Sequence, residues 1–426
     1  MYSPPLRPFF SLCNFTETNK EYDIRFDASY GFFDLCFLST PALDDNMQEE
    51  NGRGPADDVL ETSHLTRRGI FTQRPENLAV PTHVDELLRL KKPVQWNPPD
   101  MNDLQRRMMG DTGAEPPLLL SLINHLNSQY IPHEARELVK RVSLLGSTSD
   151  FLFADADATA GNLSLSQIDF ITQPLGNASD SLQRAQAAKR LAVLNEYTHL
   201  SLIVARTIDY STLSRSDAAW NEKVYGPMLN LAALHAPDVA VENTTGASID
   251  RRFIPSSVAT YNGKLDGGTV DYVLALRPES KRLQDFISNL DHPLFNQTNY
   301  PPLRIWPTGV FVKIRAMDHD QSVAEAMIQL SIWVASWFNR ISSFPENTPS
   351  SSSSKRSPPF IPILLVDRGS WDVYFVFDDQ SRYNICGPMD MGDTKTVKNA
   401  YRLLAGLRDL VNWMATDFHA WVDSCL

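Results

Sequence analysis

Apolar residues recur at three- and four-residue spacing through Leu118 to Leu126, His133 to Leu145 and Ser181 to Ile208, which predicts amphipathic helices. Another helix is expected from Ser216 to Leu234, with Ser216-Asp217 as its cap and Ala236-Pro237 beyond its end. After it the apolar runs become short. Ser248 to Ile254, Thr269 to Leu276, Leu303 to Arg315, Phe360 to Asp367 and Trp371 to Phe377 read as strands, with turns at Pro278-Glu279-Ser280 and Arg368-Gly369-Ser370. Helical periodicity returns from Val323 to Ile341 and from Val397 to Val422. Helix, three strands, helix, two strands, helix is the order of an α/β layer.

Three regions follow. Residues 1–115, rich in Pro, Asp, Glu and Asn, are expected to be a partly disordered arm with an acidic linker near Ala42 to Asp58. Residues 116–210 form a helical segment packing on the core, and 211–426 are the core itself. An insertion at 347–359, with Ser350 to Ser354 consecutive, reads as a flexible surface loop.

At 426 residues, 42% hydrophobic and 21% charged, the chain is an ordinary globular protein. Its formal net charge of −12 disfavours nucleic acid as a partner, since phosphate binding usually carries a basic footprint, although a local groove can be basic on an acidic protein. Cys13, Cys36, Cys386 and Cys425 are far apart and read as reduced thiols. Neither a leader nor an apolar run of spanning length is visible, so a cytoplasmic or nuclear protein without membrane contact is expected, with the sequons at Asn14, Asn162, Asn177, Asn243 and Asn296 unused. His235, His292 and His319 lack ligand spacing, and no Gly-rich phosphate loop or Gly-x-Ser-x-Gly elbow occurs.

The chemistry concentrates in an ordered set: Trp220-Asn221-Glu222-Lys223-Val224-Tyr225-Gly226-Pro227 on a helix, Val270-Asp271-Tyr272 on a strand, Val310-Phe311-Val312-Lys313-Ile314-Arg315 on another, then Gln329-Leu330-Ser331-Ile332-Trp333 on a helix. Over roughly Asp217 to Val422 this set resembles the fungal PD-(D/E)XK nuclease-like family. The resemblance implies a restriction-endonuclease-like mixed sheet flanked by helices, with a helical N-terminal half. It also implies a helix Glu, a strand Asp and an acid-x-lysine pair around Mg²⁺. Matching positions retain Glu222 and Asp271, but the acid-x-lysine pair falls on Lys313 and Arg315. An ammonium offers only donors where a divalent ion needs oxygens, so no metal is expected here. Gln329 and Trp333 resemble the Gln-x-x-x-Tyr helix signal of related nucleases.

Strand alternation puts Lys313 and Arg315 on one face, expected to look toward Asp271 and Glu222. Plainer readings stand beside this. Glu222 can be a solvated helix acid, Lys313 an edge-strand charge that blocks aggregation, and Gln329 with Trp333 ordinary packing. Glu279-x-Lys281 also spells acid-x-lysine, but in a polar turn.

The leading expectation is a degenerate nuclease scaffold repurposed as a cofactor-free small-molecule enzyme of fungal natural-product biosynthesis, a cyclase or pericyclase of Diels-Alderase type. Glu222, Asp271, Lys313, Arg315 and Gln329 would be catalytic, and Trp306 and Trp333 would bind a small apolar metabolite. The alternatives are a Mg²⁺-dependent DNA nuclease, with Asp318 or Asp320 as substitute acid, and a non-catalytic pseudonuclease that binds nucleic acid or protein. The pattern leaves the oligomeric state open.

Overall fold

The apolar runs after residue 238 pair into one seven-stranded sheet, seen in a computed structural model that describes residues 83–109, 116–127, 130–136, 139, 178–213, 215–255, 269–277, 280–315, 323–345 and 358–426. The strands are β1 (Val94–Asn97), β2 (Val239–Asn243), β3 (Tyr272–Leu276), β4 (Thr308–Ile314), β5 (Ile361–Asp367), β6 (Ser370–Asp378) and β7 (Tyr383–Asp393). Their spatial order is β1-β7-β6-β5-β4-β3-β2. The longer helices are α1 (Met101–Met109), α2 (Pro117–Asn127), α3 (Ala178–Thr212), α4 (residues 217–233), α5 (Lys281–Ser288), α6 (Val323–Ser342) and α7 (residues 397–425).

β2, β3 and β4 run as an antiparallel meander; α6 then crosses over so that β5 lies parallel to β4. β5, β6 and β7 are antiparallel, and β1 closes the far edge parallel to β7. Every residue of β3 and β4 is buried, which explains why these strands read as continuous apolar runs rather than alternating ones. The β5 to β6 turn is the predicted one. Arg368 and Gly369 both have positive φ (47° and 80°), the geometry of a two-residue hairpin that needs glycine.

Several expectations are corrected. Ser248 to Ile254 is not a strand: only Ile249 bridges to Thr298, and Arg251–Phe253 is a 3-10 turn capped by the Asp250 carboxylate. Part of the expected arm belongs to the sheet, since Val94–Asn97 is β1 and Met101–Met109 is α1. Strands β2 and β7 were hidden, β2 because only its first two residues are buried and β7 by Gly387, Pro388 and Gly392 within it. Of the turn expected at 278–280, Pro278 and Glu279 lie outside the described residues, and Ser280 stands at the cap position of α5. The rest of the arm (1–82 and 110–115), most of the insertion, Asp318, His319 and Asp320 lie outside the described residues.

The core is aromatic beneath α6. Trp337 meets Phe311 at 6.1 Å between ring centroids, and Phe338 stacks on Tyr383 at 4.9 Å. Each such buried ring contributes roughly 1.5–3 kcal/mol from area alone. Asn296 ties the loop before β4 to this core: its amide donates to the Leu303 and Trp306 carbonyls, and its oxygen accepts from Thr308 and from Trp337 Nε1. Asn296 itself is fully buried. Arg340 adds a second clamp, donating to the Leu294 and His292 carbonyls between the Phe253 and Phe344 rings, and burial lowers its pKa to about 10.

Gly309 is where α7 touches β4. A Cβ there would lie 2.5 Å from Met414 Sδ and 2.9 Å from the Phe418 ring. Gly309→Val should therefore cost about 1–3 kcal/mol, read as a lower denaturant midpoint at unchanged slope; an unaltered midpoint would show that α7 gives way freely.

Candidate functional site

Asp271 sits one residue before β3, fixed by its backbone. Its N–H donates to the Val312 carbonyl at 2.8 Å, and its carbonyl accepts from Thr244 at 2.8 Å. The β3 to β4 register sets Tyr272 against Val312 and thereby brings Asp271 beside Lys313. Asp271 Oδ2 accepts the Ile314 N–H at 2.7 Å and lies 3.2 Å from Lys313 Nζ. Both side chains are largely removed from water, at 15% and 7% exposure.

Burial pushes the Asp271 carboxyl above its ordinary pKa, and the Lys313 charge and Ile314 amide oppose that shift. Lys313 is no edge charge, because β4 lies between β3 and β5. It is a buried lysine partnered by a carboxylate, the arrangement burial requires.

Arg315 goes elsewhere. Its N–H donates to the Val366 carbonyl, and its Nη1 lies 3.0 Å from Asp367 Oδ2, at the end of β5 beside the Arg368-Gly369 turn. Glu222 is likewise not brought to Asp271; it is 66% exposed and pairs with its neighbour Lys223 at 2.6 Å. The two acids and two cations expected as one cluster are therefore separated, leaving Asp271 with Lys313. Lys281, of the other acid-x-lysine match, begins helix α5 and belongs to no strand.

Gln329 and Trp333 are one turn apart on α6, which packs on β4. Gln329 is 6% and Trp333 1% exposed. Among the described residues neither Gln329 Oε1 nor Trp333 Nε1 has a hydrogen-bond partner, although the Trp333 carbonyl accepts from Gln297 Nε2. Trp306 packs half-buried against the core, its carbonyl held by Asn296.

Three residues given no role at the site by the sequence reading are linked by charge or pairing to these groups. Tyr225 stacks on Trp220 and meets Trp371 edge-on; burial raises its hydroxyl pKa far above the ordinary value, and the charges of Asp367, Asp217 and Asp271 raise it further. Asp217, not Glu222, is the acid of α4 whose charge reaches Asp271. Its place two turns before the buried pair Val224 and Tyr225 was the available clue. Asp367 carried no local clue, because it reaches Arg315 only through β4 to β5 pairing.

A divalent ion fits these side chains poorly. It needs oxygens converging on one point, whereas the Asp271 oxygen faces an ammonium. Two residues before Lys313, on the same strand face, stands Phe311, fully buried against Trp337.

The sequence model of the PD-(D/E)XK nuclease superfamily matches residues 168–419, more than half of the chain, and the chain belongs to that superfamily. Its mixed sheet flanked by helices is a restriction-endonuclease-like α/β fold. No curated protein and no solved structure matches it.

Lys313→Met removes the charge opposing burial at Asp271. Below the ordinary carboxylate pKa Asp271 is neutral in folded and unfolded chain alike, so little is lost there. As pH rises through that value the unfolded chain ionises while the folded one resists. The loss relative to wild type should grow toward neutrality, reaching roughly 3–5 kcal/mol. Denaturant midpoints at acid and neutral pH measure this, and Asp271→Asn with Lys313→Met should recover most of it. A pH-independent loss would show that the two side chains do not interact.

Proposed function

We propose that this chain is a metal-independent member of its superfamily, in which Lys313 is the lysine of the acid-x-lysine pair and Phe311 stands in the place of the acid. The contact of 3.2 Å between Lys313 Nζ and Asp271 carries this reading. It shifts the alignment by two residues from the one that set Lys313 at the acid and Arg315 at the lysine. Arg315 then belongs to a separate pair with Asp367.

With no ion to hold, the site is repurposed as a cofactor-free enzyme for a small apolar metabolite, a cyclase of Diels-Alderase type in fungal natural-product biosynthesis. Two features support it. Gln329 Oε1 is a buried acceptor and Trp333 Nε1 a buried donor, one turn apart and without partners among the described residues. Such groups are costly unless something answers them. A substrate carrying a donor beside a carbonyl would answer both, and a fixed donor on that carbonyl lowers the barrier to ring closure. The net charge of −12 also suits an uncharged ligand better than a phosphate backbone.

The second reading, a Mg²⁺-dependent nuclease, draws on Asp217, whose charge reaches Asp271 from α4. Calorimetric titration of the full chain with Mn²⁺ and a plasmid-nicking assay separate the two: no binding and no nicking are expected. Metal-dependent nicking lost in Asp271→Ala would overturn the metal-independent reading.

The small-molecule reading has its own check. Deleting the gene from its host should remove one cyclised product and accumulate an open isomer of equal mass, restored by wild type and not by Gln329→Leu. An unchanged metabolite profile would sink it.

A further inference from the structure

Buried amines are potential nucleophiles, and β4 holds one. Lys313 stands two residues after Phe311 and beside Leu365, its register partner on β5, and all three are buried. An ammonium carries three N–H bonds. Among the described residues Asp271 Oδ2, at 3.2 Å, is the partner of Lys313 Nζ. An amine with apolar groups around it and a carboxylate in reach is the setting in which lysine attacks a carbonyl carbon.

The fold carries α6 over this amine. Because β5 runs parallel to β4, the helix that connects them runs back along β4, so the first turns of α6 lie toward the Lys313 end. Trp337 meets Phe311. One turn back on α6, about 5.4 Å, stands Trp333, and two residues on along β4, about 7 Å, stands Lys313 on the face of Phe311. Trp333 Nε1 and Gln329 Oε1, buried and without partners among the described residues, are thereby brought to the same end of β4 as the amine.

We propose that Lys313 is a catalytic nucleophile whose amine condenses with an aldehyde or ketone carbonyl of the substrate to form an imine. This rests on the metal-independent reading of the site and adds to it the chemical class of the substrate. Asp271 takes a proton from the ammonium and frees the nitrogen lone pair, which forms the C–N bond while the carbonyl π pair moves to oxygen. That oxygen takes the proton back from Asp271. A second proton passes from nitrogen through Asp271 to the hydroxyl, which leaves as water, and the protonated imine remains with the Asp271 carboxylate as its counter-ion. An iminium draws electrons from a conjugated double bond more strongly than a hydrogen-bonded carbonyl does, which favours ring closure there. Hydrolysis then consumes one water and releases the product carbonyl and the lysine ammonium.

Reductive trapping of the full chain tests this, with benzaldehyde as the probe, cyanoborohydride as the reductant and peptide mapping as the readout. Lys313 is expected to take up one benzyl group before exposed lysines such as Lys281 and Lys395 do. In Lys313→Arg, which keeps the charge but forms no such adduct, labelling should fall to the exposed lysines alone, with circular dichroism confirming the fold. A wild type in which Lys313 stays unmodified, or reacts no sooner than the exposed lysines, overturns the proposal. Trapping at Lys313 beside an unchanged metabolite profile would uphold the imine and discard the cyclisation; a cyclised product lost on deletion of the gene, with Lys313 untouched by the probe, would do the reverse.

Discussion

The pairing of Asp271 with Lys313 is the constraint around which the site is arranged. A lysine in a central strand, with neighbours on both sides, must be neutralised or lose its charge, and an aspartate one residue before β3 meets the same demand. Each makes the other tolerable. The bond from Ile314 N–H to the same carboxylate oxygen adds a second anchor that depends only on backbone. Such a pair contributes little to net stability compared with an apolar replacement, but it is expensive to break by halves.

On the metal-independent reading proposed above, it is Phe311 beside this pair that sets the chain apart from a metal-dependent member of its superfamily. The Asp271 oxygen already holds an ammonium and an amide, and Phe311 brings a ring rather than an oxygen to β4 two residues before Lys313. The scaffold around the site is a continuous seven-stranded sheet. The meander, the crossover through α6 and the parallel β5 are retained, because they rest on the buried apolar faces of β3, β4 and β5 rather than on the site. Side chains at the site can therefore vary while the sheet beneath them stays.

Much of the core was legible from the chain. The helices around Ser216 to Leu234, Val323 to Ile341 and Val397 to Val422, and the runs that became β3 to β6, stand out because their periods are strong and their burial nearly complete. Legibility failed where pairing partners are distant. β1 lies some 290 residues from the strand it pairs with, about a register the local sequence does not contain. β7 carries glycines and a proline that a local reading takes for a turn, and Ser248 to Ile254 had strand-like composition without a neighbouring ladder to join.

Among the candidate residues the same division holds. The sequence alone determined that Asp271 and Lys313 lie in apolar strands, and that such charges need answering. It determined equally that no acid-x-lysine pair lies on β4. Which cation answers Asp271 was decided by tertiary structure. Alternation along β4 allows both Lys313 and Arg315, but the register against β3 brings only the first alongside, while the register against β5 gives the second to Asp367. Likewise, choosing between Asp217 and Glu222 took the packing of α4. Side-chain periods say which residues share a face; only the docking of that face against another element says what they meet.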